Sequence, residues 1–192
     1  MEKEKQCGNL EICIVSENQE KINEIQEVLN NFKIKLKKCN AKKIEIQNDD
    51  IKQIAIYAAI NAYNEIKIPL IVDDSALYIK SLSNFPGPYT SYVYKTIGIK
   101  GILKLMEGIK DRGATFKTSL VYVYEKGFKV FEGTIEGVIS ENPRGYNGFG
   151  FDPIFIPYNA NKTFAEMDIQ EKNKYSHRAK AALAFGNWII NS

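Results

Sequence analysis

Apolar residues along the chain follow two rhythms, short continuous runs and helical stripes. Leu10-Glu11-Ile12-Cys13-Ile14-Val15 is a mostly apolar run of buried-strand length. It stops at Ser16-Glu17-Asn18, after which Ile22, Ile25, Leu29 and Phe32 recur at helical spacing. The opening is therefore strand, polar turn, helix. Residues 34–39 alternate and predict an exposed strand, and 42–47 predict a further strand-like piece that contains Glu45. Ile51, Ile54, Ala55, Ala58 and Ala62 mark a second helix over about residues 50–64, with alanines small enough to pack closely on a sheet. Pro69 opens the strand Leu70-Ile71-Val72, which runs into Asp73-Asp74-Ser75 at its C-terminal end.

Pro86-Gly87-Pro88 forces a bend and lets a helix start at Pro88, with Tyr89, Tyr92, Val93 and Thr96 at helical spacing. Gly98 and Gly101 interrupt it before a short helix at 102–106. Residues 114–124 and 128–139 form a long hairpin about Glu125-Lys126-Gly127, expected at the centre of a second sheet region. The next stretch, Pro143 to Phe155, packs three glycines, two prolines and three phenylalanines around one arginine and one aspartate. Glycine at that density suits a backbone that bends sharply or approaches a ligand, and the rings offer flat faces; an ordinary turn between strands has the same composition. Thr163 to Met167 leads into a short helical stretch ending near Lys172. Ser176 then caps a last helix that carries Ala182, Leu183, Gly186, Ile189 and Ile190 on one face.

Composition narrows the class. A chain of 192 residues, 44% hydrophobic and 26% charged, fits one globular domain over residues 1–192. A net charge of +3, with acidic and basic residues interspersed, points away from nucleic acid. No apolar stretch reaches the roughly 18 residues of a membrane span. The charged opening Met1–Lys5 is no secretory signal, so a cytoplasmic protein without a membrane partner is expected. Cys7, Cys13 and Cys39 are odd in number and lack C-x-x-C spacing, so neither a disulfide framework nor a zinc site is expected; Cys13 reads as a small core residue.

Candidate chemistry sits where strands meet turns. Ser16, Asn18 and Lys21 lie at a strand-to-helix turn, where free N–H groups favour an anion; a capped helix with a surface lysine would look the same. Asp73 and Asp74 must point to opposite faces of a strand, so one can face a cleft and supply hard oxygen to Mg²⁺, with a plain acidic turn as the other reading. His177, the only histidine, and Arg178 fall in the first turn of the last helix.

These pieces carry a known pattern. Ser16-x-Asn18-x-x-Lys21, Val72-Asp73-Asp74-Ser75-x-Leu77, Phe85-Pro86-Gly87-Pro88-Tyr89, Pro143-Arg144-Gly145 through Phe149-Gly150-Phe151-Asp152-Pro153, Thr163-Phe164-Ala165-Glu166-Met167 and Glu171-Lys172-Asn173-x-x-Ser176-His177-Arg178 stand in one order along nearly the whole chain. Together they resemble the inosine triphosphate pyrophosphatase family. The resemblance implies an α/β fold, a mixed twisted sheet with helices on both sides and two lobes flanking a central substrate cleft. It implies a homodimer that hydrolyses ITP, dITP and XTP to the monophosphate and pyrophosphate.

The resemblance also assigns roles. Glu45 and Asp74 would hold Mg²⁺, or Mn²⁺ in its place, with Asp73 as a candidate third ligand. Asp74 would also be the catalytic proton acceptor. Ser16, Glu17, Asn18, Gln19, Glu20, Lys21 and Ser75 would bind phosphates, and Lys172 would reach the substrate from the second lobe. Phe149 and Phe151 would stack on the purine. The backbone of Phe149, Gly150, Phe151 and Asp152, with His177 and Arg178, would read the base edge. The chain departs from the family at Glu17 and Ala76, where glycine is usual, and at Phe151, where Tyr or Trp is usual. A Maf-like enzyme acting on modified pyrimidine nucleotides and an inactive nucleotide-binding relative are the alternative readings.

Overall fold

A computed structural model describes residues 10–192; Met1–Lys5 and Cys7 lie outside the described residues. One seven-stranded mixed sheet carries the described chain. Strand β1 (Leu10–Ile14) pairs in parallel with β2 (Ile34–Lys38) on one side and with β3 (Leu70–Ile79) on the other. Antiparallel to β3 run β4 (Phe85–Gly87) and β5 (Gly113–Tyr124); β6 (Gly127–Ile139) and β7 (Phe155–Pro157) continue the sheet. The long hairpin is thus part of the same sheet, not the centre of a second one. Its register continues that of β3 without a break, Leu70 opposite Val123 through Ile79 opposite Ala114.

Helices cover both faces. Helix α1 (Gln19–Leu29) and α6 (His177–Ile190) bury Ile22, Ile25, Leu29, Ala182 and Phe185 against Ile12, Ile14 and Leu120. Helix α2 (Ile51–Ile66) presses Ala55, Ala58, Ala59 and Ala62 onto Val15, Leu70, Val72 and Val121 on the opposite face. A third core gathers at the far end of β3 and β5. It holds Leu77, Ile79 and Phe116 with Val93 of α3 (Thr90–Thr96), Ile102 of α4 (Gly98–Leu105), and Phe151, Phe155 and Phe164. The two ends of β3 therefore belong to two lobes.

The cleft between them follows from the register of β3. Its pairing with β1 ends at Ile14 opposite Ile71, and β4 begins only opposite Leu77. Between those points one edge of β3 is free of both neighbours, while β5 continues along the other edge. Asp73, Asp74 and Ser75 fall in that gap, in mid-strand rather than at a strand's end as expected. A point where the sheet changes neighbours is where an open α/β fold takes its ligands.

Other expectations also give way to tertiary context. Residues 39–50 form no strand, because the sheet ends at β2 and offers them no ladder. Gly101 sits inside α4 instead of interrupting it. On α6, Leu183 and Ile190 are about half exposed, and the buried face is Ala179, Ala182, Phe185 and Gly186. Cys13 is buried, as expected of a core residue, but it is paired with Cys39 in a disulfide, the Cα atoms 5.7 Å apart. The register sets Cys13 opposite Lys37, and Cys39 follows just past the end of β2 with its N–H on the Ile14 carbonyl, which brings the two sulfurs together. No helix among the described residues is long and apolar enough to cross a membrane.

Helix α6 approaches β6 at a glycine. A Cβ on Gly133 would stand 1.9 Å from the His177 carbonyl oxygen and 2.9 Å from the Ala181 nitrogen, both backbone atoms that cannot swing aside. Gly133→Ala is expected to cost about 1–3 kcal/mol by overpacking, read as a lowered urea midpoint with unchanged m-value.

Candidate active site

The polar turn after β1 sets the first wall. Asn18 is extended and caps α1, its Oδ1 accepting the Lys21 N–H at 3.2 Å, while Ser16 Oγ accepts the Asn18 N–H at 3.2 Å. That capping turns the Lys21 side chain toward β3, where Nζ meets Asp73 Oδ2 at 3.2 Å. Gln19 and Glu20 point to solvent along the first turn of α1 and do not line the cleft, whereas exposed Glu17 stands on its rim.

Alternation along β3 separates the two aspartates. Asp73 is buried against Lys21 and Arg178, whose Nε donates to the same Oδ2 at 3.2 Å. Burial alone would raise this carboxyl, but the Lys21 and Arg178 charges outweigh it and hold it far below the usual range. Asp74 faces the cleft, and there burial wins: together with the nearby Glu45 and Asp73 charges it lifts Asp74 above an ordinary aspartate despite Lys43 and Lys21. Ser75 also lines the cleft, but its hydroxyl is engaged by Thr118 Oγ1 at 2.6 Å and Arg178 Nη2 at 3.0 Å.

Behind the wall runs a chain of alternating charges. Asp152 Oδ2 meets Lys172 Nζ at 2.6 Å, and the same Nζ meets Glu24 Oε1 at 2.6 Å. The other oxygen of Glu24 accepts from Arg178 Nη1, Arg178 Nε reaches Asp73, and Asp73 reaches Lys21. Burial pushes the Glu24 carboxyl up, and the Arg178 and Lys172 charges more than reverse it. Lys172 is therefore not a cleft residue, contrary to expectation. Its ammonium is spent on two carboxylates and packs under the Phe149 ring, 5.2 Å from the centroid.

The glycine loop builds the opposite wall. Gly148 at φ +70° brings the backbone so near Asp152 that a Cβ would lie 2.2 Å from Oδ2, which also accepts the Phe149 N–H at 2.8 Å. Phe149 is left half-buried over the Arg178 guanidinium, 5.4 Å away. Phe151 lies deeper, 1% exposed, its ring edge-on to Tyr94 at 5.4 Å, so Phe149 is the ring with a face to offer. The His177 ring stacks on Phe116 at 4.7 Å; burial keeps it neutral, and its Nδ1 has no hydrogen-bond partner.

The walls enclose about 650 Å³, within the range of small-ligand clefts. Ser16, Glu17, Asn18, Lys21, Glu45, Asp74, Ser75, Phe149, Gly150, Phe151, Asp152, His177 and Arg178 all face it. Sequence reasoning missed Lys43, Thr90, Tyr94 and Lys95, which also line it, and Glu24 behind it. Glu24 had a signal, a carboxylate set between Ile22 and Ile25 on the apolar stripe of α1. Lys43 had none, lying in a stretch without regular structure.

A metal has two candidate ligands here. Among the described residues no group of three or more His, Cys, Asp or Glu side chains gathers to hold an ion. Glu45 and Asp74 do face each other across one ammonium, Lys43 Nζ, at 2.6 and 3.9 Å. A pair of carboxylates beside a phosphate site is the protein share of a Mg²⁺ site, which takes its remaining ligands from substrate and water. Asp73 is turned away, bound to Lys21 and Arg178.

Residues 12–188 match the profile of the Ham1 family. The chain belongs to the Ham1 family. Among its relatives are the dITP/XTP pyrophosphatase of Saccharolobus solfataricus, 51% identical over 94% of each chain, and that of Hyperthermus butylicus, 49% identical over 93% of this chain and 94% of the other. The structure of a HAM1 protein from Coxiella burnetii superposes with a TM-score of 0.84 at 32% identity, covering 95% of this chain and all of that one. The shared Ham1 architecture includes the curled mixed sheet and its two-sided helical cover.

Removing the charge of Asp73 leaves Lys21 and Arg178 without their shared partner. Asp73→Asn is expected to lose roughly 3–5 kcal/mol near neutral pH. Because the folded carboxyl is depressed, that stabilisation is complete above the unfolded value near pH 4 and fades as pH falls below it. Urea unfolding of both proteins from pH 7 to pH 3 should show the gap constant down to about the unfolded value and only beginning to narrow at pH 3, because the folded carboxyl titrates far lower.

Proposed function

We propose that this Ham1-family chain is a nucleoside-triphosphate pyrophosphatase that hydrolyses ITP, dITP and XTP to the monophosphate and pyrophosphate, and so cleanses the nucleotide pool. The observation that carries the reading is that Asp74 and Arg178 open onto one cleft, with room for a single nucleotide along it. Relatives named dITP/XTP pyrophosphatase at about half identity support the same substrate class.

The residues divide the work by wall. The triphosphate lies along Ser16, Asn18 and Lys21, at the positive end of α1, and toward Lys95. Glu45 and Asp74 would hold Mg²⁺, or Mn²⁺, which when bound neutralises phosphate charge. Asp74, facing the cleft beside Glu45, orients the attacking water and takes its proton. The water oxygen bonds to the α-phosphorus as the bond to the β-phosphate bridge breaks, and pyrophosphate departs.

The base lies on the half-buried Phe149 ring, a stacking contact worth roughly 1–3 kcal/mol. Arg178 spends one N–H each on Asp73, Glu24 and Ser75, which leaves two of its five donors. A donor-only group welcomes the 6-oxygen of hypoxanthine or xanthine and leaves the 6-amino group of adenine unpaired. A site of this kind discriminates by on the order of 10⁴. As the family resemblance implies, the enzyme works as a homodimer; a cytoplasmic location suits a nucleotide-pool enzyme.

A panel of ITP, XTP, dITP, GTP, ATP and modified pyrimidine triphosphates, assayed for pyrophosphate with Mg²⁺, is expected to favour ITP and XTP strongly over ATP. Equal turnover of ATP would remove Arg178 from base reading, and preference for a pyrimidine would remove the purine pocket. Asp74→Asn should fold normally and lose most turnover, by about 10²–10⁴-fold.

A further inference from the structure

The best-placed cation in the cleft is Lys43. Its Nζ lies 2.6 Å from Glu45 Oε1 and 3.9 Å from Asp74 Oδ1, and it donates to the Asp73 carbonyl oxygen at 3.3 Å. These two carboxylates are the ones offered to a divalent ion above. The ammonium therefore stands in the position such an ion would neutralise. One site between two carboxylates cannot hold a lysine ammonium and a divalent cation together, since like charges a few ångströms apart repel.

The surroundings say where the lysine would go. Lys43 and Glu45 ride on residues 39–50, a stretch with neither helix nor strand between β2 and α2. Its ends are fixed, Cys39 N–H to the Ile14 carbonyl and Asp50 as the cap of α2, and its middle is free of ladder bonds. Lys21, the other lysine on this wall, is tied to Asp73. Lys43 is thus the lysine on this wall whose partners a divalent ion would take over, and the cleft beside it is the one assigned to the triphosphate.

We propose that Lys43 is an exchangeable counter-ion. It neutralises Glu45 and Asp74 while the site holds no divalent ion, and it transfers to the substrate's phosphate oxygens when the ion arrives. The exchange makes the free enzyme a weak metal binder and couples metal and nucleotide binding, so that the two enter as one complex. This rests on the pyrophosphatase reading for the nucleotide half, while the metal half rests on the Glu45–Lys43–Asp74 geometry and on those two carboxylates being the divalent-ion ligands.

The test separates the halves. Mn²⁺ alone is titrated into the full chain without nucleotide and followed by the electron paramagnetic resonance signal of free Mn²⁺. Lys43→Met is expected to bind Mn²⁺ roughly tenfold tighter than the unmodified protein, within the usual range of coupling between sites, and Lys43→Arg to restore weak binding. With Mg²⁺ and ITP, Lys43→Met should raise KM by roughly tenfold and Lys43→Arg recover most of it. Unchanged or weaker Mn²⁺ binding in Lys43→Met overturns the exchange. Tighter Mn²⁺ binding with unchanged KM overturns the transfer to phosphate. Absence of ITP turnover in the unmodified protein would instead strike the pyrophosphatase reading and leave the Mn²⁺ result standing.

Discussion

The structure depends on a buried, electrically balanced chain of side chains: Asp152, Lys172, Glu24, Arg178, Asp73 and Lys21, each touching the next. Three negative and three positive groups alternate, so no ion is left without an opposite neighbour. Taking six charges out of water is costly, and a packed apolar core of the same volume could well be more stable. What the ions supply is placement. They tie α1, β3, the glycine loop and the start of α6 to one another, elements that lie as much as 154 residues apart in the chain. The Arg178 guanidinium is held from three sides before any substrate arrives, which is the preorganisation that electrostatic recognition requires.

That chain has somewhere to act because β3 changes neighbours. Between the last residue paired to β1 and the first paired to β4, the strand presents Asp73, Asp74 and Ser75 to opposite faces in turn. One aspartate anchors Arg178 and the next faces the cleft. Two adjacent carboxylates thereby take different charge environments, one far below the ordinary range and one above it. Glycines are used where backbones must nearly touch, Gly133 under α6 and Gly148 beside Asp152, and both contacts bear on the walls of the same cleft.

Much of this was legible in the sequence. Local period and capping located β1, α1, α2, the hairpin and α6, and Ser16, Asn18, Lys21, Asp74, Phe149, His177 and Arg178 were singled out and do face the cleft. The misses share a cause, in that tertiary pairing overrides local pattern. Residues 42–47 alternate like a strand yet have no partner strand, and Leu183 and Ile190 fit an apolar stripe that the sheet does not cover. Lys172 is expected from the family resemblance to reach the substrate, yet its ammonium is taken by Glu24 and Asp152 behind the wall. Glu24, remote in sequence from Lys172 and Arg178, could be paired with them only in three dimensions.

The claim that a buried ionic scaffold aims Arg178 at the purine can be tried without touching any cleft-lining residue. The measurement is the ratio of kcat/KM for ITP to that for ATP in Glu24→Gln, with retained folding checked by circular dichroism. The account predicts that the ratio falls at least roughly tenfold, about 1.4 kcal/mol of lost discrimination, while pyrophosphate remains the product. An unchanged ratio in a folded Glu24→Gln protein would contradict it.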